Sequence, residues 1–342
     1  LIYVLGDDPE GAAEGGTAAL CLPNRPPFNT LHGDSAAACD ARRTLACMCL
    51  LRGAAHEKKE QRRVAAQWYA RALQLDVLCS EAFDALVGHQ LLKAAEQHFL
   101  WENLLAPRLG PDDAWLATLY REQLLVYEAA PEPLPVPAAI ATAARPDAAP
   151  LECWGLAQNL DVRMIHAERL FESHDTAGAH ALTSGVLRAD PHMQRGLVAH
   201  ICTLVELGRK ADLFKLSHEL VDERPEDATS WFAVGCYYKA SGKVPRTADG
   251  IPPVRKFFDK ATRKDPDFAP GWIGYGNYFA DQDESEQALA AYRQAQRLYV
   301  GCHIPTLYIG MEYLRTNHLD LAEQHLSMCV GDGRILHALL GR

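Results

Sequence analysis

The sequence predicts an all-α fold, a right-handed superhelical solenoid of helix–turn–helix repeats. Three observations carry that expectation. Two stretches share one pattern: Trp231, Val234, Gly235 and Tyr238, then Trp272, Tyr275, Gly276 and Phe279. Each reads aromatic, a residue at +3, glycine at +4 and aromatic at +7, a spacing that lines four positions along one helix face. Downstream of each lies a second helix with a small residue, an aromatic four later and an alanine seven later: Val254, Phe258 and Ala261, then Ala288, Tyr292 and Ala295. Finally, landmarks recur 34 residues apart, as in Pro191 and Pro225, Ala179 and Leu213, and Gly276 and Gly310.

Together these make the tetratricopeptide (TPR) signature, in which one hairpin cannot bury its apolar face and stacked hairpins form the core. Gly53, Gly235, Gly276 and Gly310, with Trp231 and Trp272, are the expected packing positions. The glycines let two helix backbones approach, and aromatics fill the space around them.

In chain order, residues 1–40 are Gly/Pro/Ala-rich and read as a flexible connector. Residues 41–128 read as one hairpin plus a degenerate helical repeat. Gly53 is followed by Ala65, Tyr69 and Ala72 at the same offsets that link Gly276 to Ala288, Tyr292 and Ala295. A helix is expected from about Ser80 to Leu92, and another after Gly110-Pro111-Asp112 carrying Trp115, Leu119, Leu124 and Tyr127. Residues 129–150 hold Pro131, Pro133, Pro135, Pro137, Pro146 and Pro150 among alanines and read as an extended loop. Residues 151–330 read as a TPR array with seven extra residues near 243–253. Residues 331–342 are an atypical tail, opened by Gly331-Asp332-Gly333. The chain starts with Leu and lacks evident end caps, so it is expected to be a fragment.

Composition excludes several classes. The 342 residues carry a net charge of −10, which argues against nucleic acid as a partner. No apolar run is long enough for a membrane span. The ten cysteines are scattered without a CxxC motif, as expected of reduced core residues in the nucleus and cytoplasm. Fourteen histidines include no HExxH pair, so no metal or cofactor is expected. Gly274-Tyr275-Gly276 has no preceding strand and reads as helix packing rather than a phosphate loop. Asp283-Glu284-Ser285-Glu286 reads as a solvated turn at a helix start.

Several strings are more specific than the repeat template: SEAFDAL at Ser80–Leu86, LVELGRK at Leu204–Lys210, SWFAVGCYY at Ser230–Tyr238, PGWIGYGNYF at Pro270–Phe279 and GCHIPTLYIGMEY at Gly301–Tyr313. In this order they make the chain similar, over about residues 40–330, to the TPR scaffold subunit of the anaphase-promoting complex, the cell-division-cycle group often counted as its sixth subunit. The resemblance implies a non-catalytic scaffold in a cullin–RING ubiquitin ligase acting in mitosis. It implies other TPR subunits and a small accessory subunit as partners, and a homodimer in full-length form. Departures are the proline-rich loop, the insertion at 243–253 and the tail.

Within that frame, helix-A positions 5 and 9 are expected to line the concave side: Val198 and Cys202, Phe232 and Cys236, Ile273 and Asn277, Leu307 and Met311. Phe232, Ile273, Asn277, Leu307 and Met311 are the expected partner contacts, mostly apolar and suited to an extended peptide. A co-chaperone clamp would place Lys or Arg beside Asn there, but Ile273 stands where a lysine is needed. The enzyme alternative, a TPR region fused to a catalytic domain such as a glycosyltransferase, predicts a non-repeat catalytic segment.

Overall fold

The computed structural model describes residues 36–124, 156–172, 174–242 and 252–331. The residues assigned to the connector before Ala36, the 129–150 loop, the 243–251 part of the insertion, the tail after Gly331 and Tyr127 lie outside the described residues. Among the described residues the regular structure is helical, without strands. They fall into two compact units, 36–117 and 118–331.

The first unit opens with α1 (Ala36–Lys58) packed against α2 (Arg62–Leu75), followed by α3 (Ser80–Gly88) and α4 (Ala94–Leu100). α1 takes in residues 36–40, which the sequence reading gave to the connector. A run of alanines, the strongest helix former, extends the helix backward. α3 stops at Gly88 instead of reaching Leu92, because Gln90 adopts a left-handed φ of 53° and turns the chain. α4 ends in a π turn over Trp101–Leu105 that carries Trp101 and Leu105 into the core, so this second hairpin departs from the template. Tyr69 is buried against Gly53 of α1, and Phe83 of α3 is fully buried. Glu57, 7% exposed, accepts from Tyr69 Oη at 2.7 Å and Arg62 Nη1 at 2.6 Å, with His89 Nδ1 at 2.7 Å. Glu57 closes α1, Arg62 and Tyr69 belong to α2 and His89 follows α3, so one carboxylate joins three helices. The partners offset its desolvation and hold its pKa below the usual carboxylate value.

α5 (Ala114–Leu124) leads into the second unit, where Glu122 meets His166 Nε2 at 3.2 Å and Arg169 Nη1 at 2.8 Å on α6. Five hairpins follow: α6 (Leu160–Glu172) with α7 (Thr176–Ala189), α8 (Leu197–Glu206) with α9 (Lys210–Glu223), α10 (Ala228–Ser241) with α11 (Pro253–Lys264), α12 (Ala269–Asp281) with α13 (Ser285–Leu298), and α14 (Ile304–Arg315) with α15 (Leu319–Gly331). Pro253, Pro270 and Pro305 sit in the first turns of α11, α12 and α14, where a missing N–H costs nothing. α13 is built of good helix formers and buries Ala288, Ala291, Tyr292, Ala295 and Leu298 along one stripe. α12, rich in Gly and aromatics, has weak intrinsic propensity and depends on its neighbours.

Among the described residues, the first helix of each hairpin is followed by one left-handed residue. Glu60, Gln90, His174, Gly208, Gly242, Asp283 and Asn317 all have φ between 53° and 65°. In six of them the next N–H bonds back to the carbonyl five residues earlier, for example Arg209 N to Leu204 O at 2.9 Å and His318 N to Tyr313 O at 2.9 Å. This Schellman geometry satisfies carbonyls that a helix end leaves orphaned. Five of the seven positions are not glycine, each at a conformational cost of about 1–2 kcal/mol.

Candidate partner-binding surface

The packing positions set the geometry of the surface. A Cβ on Gly53 would meet Tyr69 Cε1 at 2.6 Å, one on Gly235 would meet Phe258 Cε1 at 2.8 Å, and one on Gly310 would meet Leu326 Cδ2 at 2.9 Å. On Gly276 it would meet Tyr292 Cδ1 at 2.6 Å. Each glycine of a first helix therefore opposes a large side chain of the second. Trp231 and Trp272 act differently. Their indole N–H groups donate to Pro225 O at 2.7 Å and Pro266 O at 2.9 Å, each six residues upstream. They pin the start of a first helix to the close of the preceding hairpin.

The structure separates the five expected contact residues. Phe232 is 4% exposed, edge-on to Phe268 at 5.7 Å and tilted against Phe258 at 6.0 Å between ring centroids. It lies in the core cluster of α8–α11, which corrects its placement on an open surface. The cause is Gly274, whose missing Cβ would stand 3.1 Å from Phe232 and 2.6 Å from Phe258. Two large rings of one hairpin fill the space that a glycine of the next hairpin clears. Ile273 is half-buried against Ala269, Ala295 and Leu298. Asn277 Oδ1 accepts from Tyr292 Oη at 2.7 Å, so that acceptor is already engaged. Leu307 is half-buried, and Met311 stands 43% exposed. Met311, Leu307 and the exposed edges of Ile273 and Asn277 are what a partner can reach.

Sequence reading missed a second set of contacts that joins hairpins. Arg315 Nη1 donates to Ala280 O at 2.5 Å and Asp283 Oδ1 at 2.6 Å, and its Nη2 donates to Ser285 Oγ at 3.1 Å. Glu312, 4% exposed, accepts from Arg315 at 2.5 Å. The Asp283–Ser285 turn is thus a docking point for the next hairpin. His200, 7% exposed, faces Thr183 Oγ1 at 2.7 Å and stacks on His180 at 5.4 Å, joining α7 to α8. Burial, followed by the charge of His180, pulls the His200 pKa down to about 4, so the ring is neutral.

The chemistry of these groups is that of packing. Burial pushes Cys49 up to about 11 and Cys202 up to about 12, opposite to what a nucleophilic thiolate needs. Among the described residues no group of three or more His, Cys, Asp or Glu is placed to hold a metal ion, and no helix is long and apolar enough to cross a membrane.

No protein-family model matches the chain. The human cell division cycle protein 16 homolog is 39% identical over 294 residues, 85% of this chain and 44% of that protein. Anaphase-promoting complex subunit 6 of Arabidopsis thaliana is 34% identical over 296 residues, 85% of this chain and 53% of that protein. A crystal structure of the APC/C hetero-tetramer Cut9-Hcn1 superposes with a TM-score of 0.68 at 31% identity, covering 84% of this chain and 52% of that one. Over this stretch the chain is homologous to these proteins. It spans about half the length of the curated relatives it matches. The TPR solenoid fold expected from the repeats is shared with the Cut9 structure, and the subunit 6 resemblance holds along most of the chain.

Proposed function

We propose that the chain is part of a non-catalytic TPR scaffold in an anaphase-promoting complex, supporting assembly of a ubiquitin ligase that acts on mitotic substrates. The observation that carries the reading is the match to Cut9 in the Cut9-Hcn1 hetero-tetramer, which extends over 84% of the chain. The Cys202 thiol, pushed up to about 12 by burial and so kept from the thiolate form, is in keeping with it. Its partners are other TPR subunits and an accessory chain standing to it as Hcn1 stands to Cut9, and the full-length protein is a homodimer working in nucleus and cytoplasm. The reachable part of the inner stripe, Leu307 and Met311 above all, contributes to those contacts.

The test is co-purification from dividing cells of the whole protein carrying this chain. Wild type is compared with Leu307→Ala/Met311→Ala, both checked for helicity by circular dichroism. Wild type is expected to bring down the complex with ligase activity, and the variant to bring down less accessory chain. Recovery of a folded wild type without other subunits of the complex overturns the scaffold reading. Full recovery with the variant removes the stripe from it and leaves the scaffold role standing.

A further inference from the structure

A second surface lies on α10 and α11, among residues other than the inner stripe. α11 carries Arg255, Lys256, Lys260, Arg263 and Lys264 against one acid, Asp259, in a chain whose net charge is −10. Beside this cationic helix stands an aromatic shelf. Phe257 stacks on Trp231 at 6.0 Å and 7° and on Tyr238 at 5.2 Å and 14°, and all three rings are half-buried. Lys260 is exposed, with its ammonium 3.2 Å from the centre of the Trp231 ring. That placement lays a charge over the Trp231 face without neutralising it.

The site already shows what it takes. Lys264 pairs with Glu226, whose side chain is 83% exposed, and the field of Lys260 also acts on that carboxylate. An exposed carboxylate from the same chain therefore rests on Lys264, within the field of Lys260. Exposed pairs of this kind hold weakly, so a second carboxylate brought by a partner can take its place. The rings beside it supply apolar area next to a cation, the composition that interface anchors favour.

We propose that the face formed by Trp231, Tyr238, Phe257, Lys260 and Lys264 docks an acidic peptide segment of a partner protein that also carries an aromatic side chain. Its carboxylates meet Lys260 and Lys264, and its ring lies on the Trp231–Phe257–Tyr238 shelf. On α11 the cations stand beside partly exposed aromatic area, so charge complementarity and apolar contact meet on one face.

The probe is a labelled synthetic peptide of alternating Glu and Phe, titrated against the folded chain by fluorescence anisotropy in low salt. Peptides with Lys for Glu and with Ala for Phe serve as controls. Saturable binding is expected, weakened about tenfold by Lys260→Glu/Lys264→Glu and by raised salt. Replacing Phe by Ala in the probe is expected to weaken binding by a similar factor. Both lysines are exposed, so the variant keeps its fold, and circular dichroism verifies this. Equal binding by the charge-reversed variant or by the lysine peptide overturns the proposal, as does absence of binding. A single-stranded RNA probe that binds more tightly than the acidic peptide, or self-association abolished by the same reversal, overturns it in favour of nucleic acid or a second copy.

Discussion

Replacing Gly276 by alanine adds one methyl group at the crossing of α12 and α13. That Cβ would stand 2.6 Å from Tyr292 Cδ1 and 2.9 Å from Cζ, closer than real Cβ atoms come. The ring cannot easily yield. Tyr292 is 2% exposed, its hydroxyl donates to Asn277 Oδ1 at 2.7 Å, and its other face stacks on Tyr308 at 5.2 Å and 12°. Overpacking of this kind costs about 1–3 kcal/mol. Losing the Tyr292–Asn277 bond, if the ring moves, adds about 1 kcal/mol. Against this stands a gain of about 1 kcal/mol from exchanging Gly for Ala in a helix. The expected net is a destabilisation of about 1–3 kcal/mol. Gly88→Ala is the matched control, because nothing lies within 4 Å of its added Cβ. There only the propensity gain, up to about 1 kcal/mol, remains. Urea denaturation followed by circular dichroism reads both variants. A double-mutant cycle with Tyr292→Leu should show strong coupling, since the shortened side chain relieves the clash. A Gly276→Ala protein as stable as wild type, or additive effects in the cycle, would refute the argued contact.

The remaining predictions concern pH and turn geometry. His200 is held neutral to about pH 4 when folded but takes a proton near pH 6.5 when unfolded, so the unfolded chain binds more protons in that window. Stability should therefore fall as pH drops from about 6.5 toward 4, by roughly 3 kcal/mol in total. The fall should flatten in His200→Gln, as read from denaturation midpoints across pH. Glu60→Gly removes a side chain from a φ of 61° and should stabilise by about 1 kcal/mol; a lower midpoint would speak against the left-handed turn.

The repeats were legible because their key pairs are separated by fixed spacings. Gly53 meets Tyr69 and Gly276 meets Tyr292, both sixteen residues on. A two-body rule of that kind survives without coordinates. Phe232 shows where such rules stop. Its repeat position is expected to line the concave side, but its phenyl ring occupies the vacancy left by Gly274 in the next hairpin, and that vacancy is shared with Phe258. Three residues on three helices decide its burial, and no single spacing encodes them. The turn residues were hidden for another reason. Their shared property is a backbone angle, and Glu, Gln, His, Gly, Asp and Asn all supply it. Arg315 was missed because its partners include the Ala280 carbonyl, which carries no side-chain signature.

The left-handed turns also bear on how the array accepts change. Gly235 finds Phe258 twenty-three residues on, where Gly276 finds Tyr292 after sixteen, yet the two crossings are alike. The seven extra residues enter between Gly242, where α10 is already capped, and Pro253, where α11 begins afresh. Closing a loop longer by that amount costs less than about 1 kcal/mol. Length along the chain and length along the stack are therefore separate quantities in this protein. Between α10 and α11 the protein takes in extra sequence while the Gly235–Phe258 crossing stays as close as that of Gly276 and Tyr292.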